Sequence, residues 1–173
     1  MRFVDFLRAT VLLSAGAATA LAAITVLSAA VSSTGSLAGF MAAWWVIAAA
    51  SGLWLGRRPE VSTQIGRLLA GAKSTSVLPE YRPALILVNR LWPLLIVSVL
   101  AGGLGFLAPQ IPGIGAGFAI IWALSWRRQH AAVSAIEERD GVYFHVKRTS
   151  PIRPIELQRT PGFKALRPEQ IAA

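Results

Sequence analysis

The sequence predicts an all-α integral membrane protein with four transmembrane helices and both ends in the cytoplasm. A short cytoplasmic amphipathic helix and a small C-terminal tail resembling a β-hairpin complete the expected fold. Three observations predict it. Residues 9–56 and 91–126 contain no charged side chain, and uncharged runs beyond about 18 residues read as membrane spans. The chain is 54% hydrophobic and only 14% charged, with a mean hydropathy of +0.56, against about 25% charged residues in soluble domains. Its 17 basic residues, Arg90 apart, fall in three segments and leave two short loops empty. This composition excludes disorder, collagen and a soluble enzyme core. The chain has no cysteine, which removes disulfides, thiolate metal sites and cysteine nucleophiles.

The spans fall at about residues 9–31, 37–55, 84–108 and 111–126, so that residues 1–126 form a transmembrane domain and residues 127–173 a cytoplasmic tail. The first span is also preceded by a basic start, as a cleaved signal peptide would be. Its apolar stretch is longer than the 7–15 residues of a signal h-region, which favours a retained span. Ser32, Ser33, Thr34, Gly35 and Ser36 make a turn between the first two spans. Pro112 suits the first turn of the fourth, which is short for a complete crossing.

Orientation follows from lysine and arginine. The N-terminal segment holds Arg2 and Arg8, the loop 57–83 holds five basic residues, and the tail holds nine. Short basic loops stay in the cytoplasm, so both termini are expected there. Trp54, Trp92, Trp122 and Trp126 lie toward the cytoplasmic ends of their spans, where indoles favour the interface. Trp44 and Trp45 lie deeper and are expected to pack on small residues of a neighbouring helix. Arginine outnumbers lysine and alanine is abundant, as in GC-rich bacterial genomes, which points to the bacterial cytoplasmic membrane.

Within the loop, Pro59 and Glu60 read as a helix opening, and Val61, Ile65, Leu68, Leu69 and Ala72 recur at helical spacing. Such a helix lies on the inner leaflet or packs on the protein's own tail. After Trp126, residues 127–139 read as a polar helical extension stopped at Asp140-Gly141. Val142, Phe144 and Val146 then alternate with polar residues, a strand signal, and a second strand is expected over residues 155–159. Since a lone hairpin is marginal in water, Val142, Phe144, Val146, Ile155 and Leu157 are expected to dock on the amphipathic helix or on another subunit.

Asn89 and Arg90 are the candidate intramembrane polar residues. A charge inside a span marks a functional site by default, although Arg90 is also placed to snorkel to anionic headgroups. Pro93 is expected to kink the helix, with Asn89 serving a freed backbone group. Gly52, Gly56, Gly113 and Gly117 stand at four-residue spacing, which allows helices to approach closely. His130, Ser134 and Glu137 share one helical face, but with no oxyanion hole or pocket implied by the sequence they read as a solvated surface.

No Asp, Glu or His lies in a span, which weighs against proton- and cation-coupled transport. No nucleotide loop, cofactor motif or metal-ligand spacing appears. The net charge of +9 is explained by topology and anionic lipid and not by nucleic acid. The reading that results is a non-catalytic membrane subunit, an accessory, assembly or anchoring component of a larger complex whose basic tail docks a partner. A small oligomeric channel or transporter for anions or neutral solutes is the alternative, and a membrane-bound enzyme using Glu137, Glu138, Asp140 and His130 ranks third.

Overall fold

A computed structural model of the chain describes residues 1–31, 35–58, 60–74, 82–108, 110–147, 149 and 154–162. It is mostly helical, with a small sheet. Helix α1 runs Phe3–Val31, α2 Gly35–Leu55, α3 Thr63–Ala70, α4 Pro83–Leu104, α5 Gln110–Trp126 and α6 Gln129–Asp140. The strands are β1 Lys73–Ser74, β2 Val142–Val146 and β3 Leu157–Pro161. Among the described residues, three helices are long and apolar enough to cross a membrane: α1, Ser36–Leu55 within α2, and α4. Helix α5 has 17 residues, about 25 Å at 1.5 Å per residue, somewhat short of a 30 Å hydrocarbon layer.

Helix α5 is the centre of the bundle, packed chiefly on α1 and α2. Small residues make this possible. Its buried positions are Pro112 and the small residues Gly113, Ala116, Gly117 and Ala123, opposite the buried α1 stripe of Ser14, Ala18, Leu21, Thr25 and Ala29. A side chain at Gly117 would collide with the indole of Trp44, and one at Gly113 with Met41. Gly52 of α2 and Gly56 just beyond its end lie against Leu124 and the α5 backbone in the same way. Trp45 donates its indole N–H to the Gly113 carbonyl at 2.8 Å, and Trp44 to that of Ile114 at 3.4 Å. The two deep tryptophans thus pack on small residues and also find acceptors that hydrocarbon cannot supply. Thr10 and Thr25 donate their hydroxyls to the carbonyls of Phe6 and Leu21, one turn back. The outward faces are apolar: Leu12, Phe40, Val46, Val97 and Val99 are all exposed, as contact with lipid requires.

One end of the bundle carries a second structure, here termed the cap, formed by α3, α6 and the sheet. The sheet order is β1-β3-β2. Strand β3 pairs antiparallel with β2, Phe144 opposite Arg159, and parallel with β1. Gly141 stops α6 in the left-handed conformation (φ 63°), which glycine adopts without strain, and so turns the chain directly into β2. A continuous apolar core joins cap to bundle. It contains Phe3, Val4, Phe6 and Leu7 of α1, Ile65 of α3, Ile86 of α4, Val133 of α6, and Val142, Phe144, Val146 and Leu157 of the sheet.

Several boundaries differ from the sequence reading, each for a local reason. Helix α1 begins at Phe3 and not near residue 9, because Phe3, Val4, Phe6 and Leu7 are buried against the cap. Helix α4 ends at Leu104, where Gly105, Phe106 and Leu107 bond back to Gly102, Gly103 and Leu104 in tight turns. Helix α3 opens at Thr63 with Ser62 as its cap, since Gln129 pins the stretch before it: its amide oxygen accepts from the Ser62 N–H at 2.9 Å and its nitrogen reaches the Glu60 carbonyl. Pro59 lies outside the described residues, as do residues 32–34 of the first turn. The second strand is shifted two residues toward the C-terminus, its ladder opening with Lys147 N–H bonded to the Glu156 carbonyl. The parallel β1 was not expected at all.

The glycine contacts make a direct prediction. Gly117→Ala forces the Trp44 ring to move and should lower stability by about 1–3 kcal/mol, the usual range for overpacking. Gly16→Ala, at a position with open space around it, should be neutral or slightly stabilising. Thermal unfolding of the two variants in detergent measures the difference.

Candidate functional site

Two features at the cap end concentrate the polar chemistry of the described residues. The first is a clamp around Glu137. Its side chain is 1% exposed, which without partners would be prohibitive for a carboxylate. One oxygen, Oε2, accepts from Arg2 Nη2 at 2.6 Å; the other, Oε1, accepts from the Phe144 backbone N–H at 2.9 Å. Arg2 also lies over the Tyr143 ring, 4.6 Å from its centroid, and its backbone bridges His145. The Val146 N–H donates to the Met1 carbonyl at 3.0 Å. In an antiparallel strand alternate N–H groups point to opposite edges. Residues 1–2 and Glu137 therefore occupy the edge of β2 that β3 leaves open. Burial holds the His145 imidazole below its ordinary pKa, with Arg2 acting in the same direction and Glu137 against it.

The helical face of His130, Ser134 and Glu137 was expected to be solvated, and Glu137 contradicts this. Its position on the face turned toward α1 and β2 buries it, and both its oxygens are engaged in holding the fold. No nucleophile–base–orienter relay is assembled from these three. Among the described residues no group of three or more His, Cys, Asp or Glu stands close enough to hold a metal ion.

The second feature is a pocket of about 360 Å³ where the cap meets the bundle. Helix α1 contributes Phe3, Phe6, Leu7 and Thr10, and α5 contributes Trp122 and Trp126. These two indoles stack 5.4 Å apart. Helix α3 covers the space with Gln64, Ile65 and Leu68; α4 supplies Arg90 and Leu91, and Ile155 closes one side. The start of α1, the start of α4 and the end of α5 thus meet at one level of the bundle.

Arg90 stands in the wall of this pocket. It donates to the Thr149 hydroxyl and, at 3.3 Å, to the Pro154 carbonyl. Asn89 donates its side-chain amide to the Thr149 carbonyl at 2.9 Å. Asn89 was expected to serve a backbone group freed by Pro93; its amide reaches the segment between β2 and β3 instead. Both residues therefore tie α4 to the cap. Of the five tail residues expected to dock, Val142, Phe144, Val146 and Leu157 are buried and Ile155 is half-buried. Their cover is shared by Phe3 to Leu7 of α1 and Val133 of α6, with Ile65 of α3 in the same core, and the first residues of the chain are the partner that sequence reasoning missed. The signal was present in Phe3, Phe6 and Leu7, an apolar group on one face ahead of the uncharged run.

No protein-family model matches the chain, and no curated protein or solved structure matches it either.

The clamp makes two predictions. Arg2→Met leaves a buried carboxylate with one partner and should destabilise the cap by about 1–3 kcal/mol or more. The double variant Arg2→Met, Glu137→Met should recover much of that loss; proteolysis of the cap in detergent reads both. His145 gives the second. Its folded pKa is depressed from 6.5, so the neutral ring favours the fold, and the contribution is full above that value and fades as pH falls below it. Cap stability should therefore decline between about pH 7 and pH 5, and His145→Asn should flatten that part of the profile.

Proposed function

We propose that this protein is a non-catalytic subunit of a larger complex in a bacterial cytoplasmic membrane, serving as an anchoring or assembly component. In this reading α1, α2, α4 and α5 all cross the bilayer, both termini are cytoplasmic, and the cap sits under the inner leaflet. The distribution of lysine and arginine supports the orientation, because every basic loop falls at the cap end. Helix α5, though short, is flanked by that end through Arg127 and Arg128, and Arg128 bonds to the Arg57 carbonyl at 2.9 Å beside the end of α2.

The observation that carries the reading is the use to which the cap puts its charges. Glu137 is committed to Arg2, Asp140 to Arg139 and Glu156 to Lys147. These three acidic groups are thereby paired locally, and on the surface Arg57, Arg58, Arg67, Lys73 and Arg159 outnumber the exposed Glu60 and Glu138. A folded, basic platform fixed to a bundle suits attachment to anionic lipid and to an acidic face of a partner subunit. The docking surface in this reading is the basic exterior, since the apolar tail residues are occupied within the chain.

Two measurements test it. The chain has no cysteine, so single-cysteine variants report topology cleanly. Ser36→Cys should react with a membrane-impermeant maleimide in intact cells and Ala70→Cys only after the inner membrane is opened; the reverse pattern contradicts the orientation. Purification in mild detergent should bring down a stoichiometric partner chain. Elution as a lone monodisperse monomer contradicts the subunit role.

A further inference from the structure

A second cavity lies within the cap itself. It holds about 310 Å³, at the lower end of the range of small-ligand pockets, and all its lining residues lie in or beside α3 and the sheet. Leu68, Ile155 and Leu157 supply its apolar surface, while Arg67, Lys73 and Lys147 reach it from three separate places. These are the last turn of α3, the edge strand β1 and the residue after β2. We propose that this cavity binds the phosphoryl group of a small phosphate monoester, held chiefly by Arg67 and Lys73. The inference rests on neither the bilayer placement nor the subunit role.

The charge balance selects this chemistry. Glu156, the acid in the lining, stands 3.1 Å from Lys147 and is also drawn by Arg90, so its partners are cations other than Arg67 and Lys73. Among the described residues no ion pair joins Arg67 or Lys73 to a carboxylate, and both side chains are exposed. The C-terminus of α3 offsets about half a unit of their charge. About one and a half positive charges remain, close to the −1.5 to −2 of a phosphate monoester at neutral pH. The geometry agrees. Lys73 pairs in register with Gln158 of β3, and residues so paired share a face of the sheet, which sets the ammonium beside the Gln158 amide on the cavity lining. A guanidinium offers a planar fork and an ammonium a point charge, and the three terminal oxygens of a monoester can accept from both. A carboxylate or a phosphodiester carries a single charge and fewer such oxygens. A soluble ester and a phosphatidic acid headgroup present the same group, and the experiment separates them.

The test is equilibrium dialysis of the full chain, held in phosphatidylcholine nanodiscs, against phenyl phosphate, with empty discs as the blank. The wild type should bind about one equivalent saturably, and benzoate about tenfold more weakly, since it lacks the second charge. Arg67→Gln and Lys73→Gln should each weaken phenyl phosphate binding about tenfold, the loss of one charge-assisted contact, while Lys73→Arg keeps most of it. Arg58→Gln, exposed but outside the cavity, should leave binding unchanged. Discs doped with phosphatidic acid identify the source: displacement of phenyl phosphate supports the site with the lipid headgroup as its ligand, and undiminished binding supports it with a soluble ester. Absence of saturable binding by the wild type, equal binding of benzoate, or a loss in Arg58→Gln as large as in Arg67→Gln would overturn the assignment.

Discussion

The carboxylate of Glu137 joins parts of the chain that are 135 residues apart, and the architecture of the cap depends on it. One oxygen takes the guanidinium at the head of α1 and the other takes a backbone N–H of β2. Burying a carboxylate is costly unless both its oxygens find donors, and the partners it finds are the two elements that must be aligned. Once Arg2 is fixed, Phe3, Phe6 and Leu7 face the sheet and the core of the cap is continuous with the bundle. Replacing the pair with apolar residues need not reduce stability; its contribution is register, because a strand displaced by one residue would turn Phe144 and Val146 to the wrong face.

The bundle obeys a different constraint. In lipid, burial of apolar area does little to drive helices together, so close approach and satisfied polar groups decide the packing. Helix α5 meets both demands, with glycines facing α1 and α2 and backbone carbonyls receiving the indoles of Trp44 and Trp45. Hydroxyls on α1 are returned to their own helix. Helix α4 is packed more lightly and is tied at its cap end by Asn89 and Arg90. The polar ties of α4 therefore coincide with the pocket, and the two indoles opposite complete its wall.

The three long apolar helices were legible, because absence of charge over long runs is a signal that few other structures imitate. The strand alternation of Val142, Phe144 and Val146 and the stop at Gly141 were likewise readable from local pattern. The missed features share one cause: they are pairings between distant segments. Nothing near Arg2 indicates Glu137, nothing near Lys73 indicates Gln158, and Gln129 gives no local sign that it will hold Ser62. Arg90 was identified as unusual from sequence, but its neighbours Thr149 and Pro154 lie some sixty residues away. Helical periodicity alone placed Glu137 on a water-facing surface, because periodicity reports which residues share a face and not what covers it.

The central claim is that the cap is folded by the chain itself, on the head of its own first helix. Hydrogen exchange of the Phe144 and Val146 amides in the isolated protein, reconstituted in lipid nanodiscs, tests it most directly. These two N–H groups point away from β3 and are bonded to Glu137 and to the Met1 carbonyl. The account predicts exchange over minutes to hours, the range of opening within a folded domain. Exchange as fast as in a free peptide of the same sequence would show that the cap forms only with a partner and would contradict it.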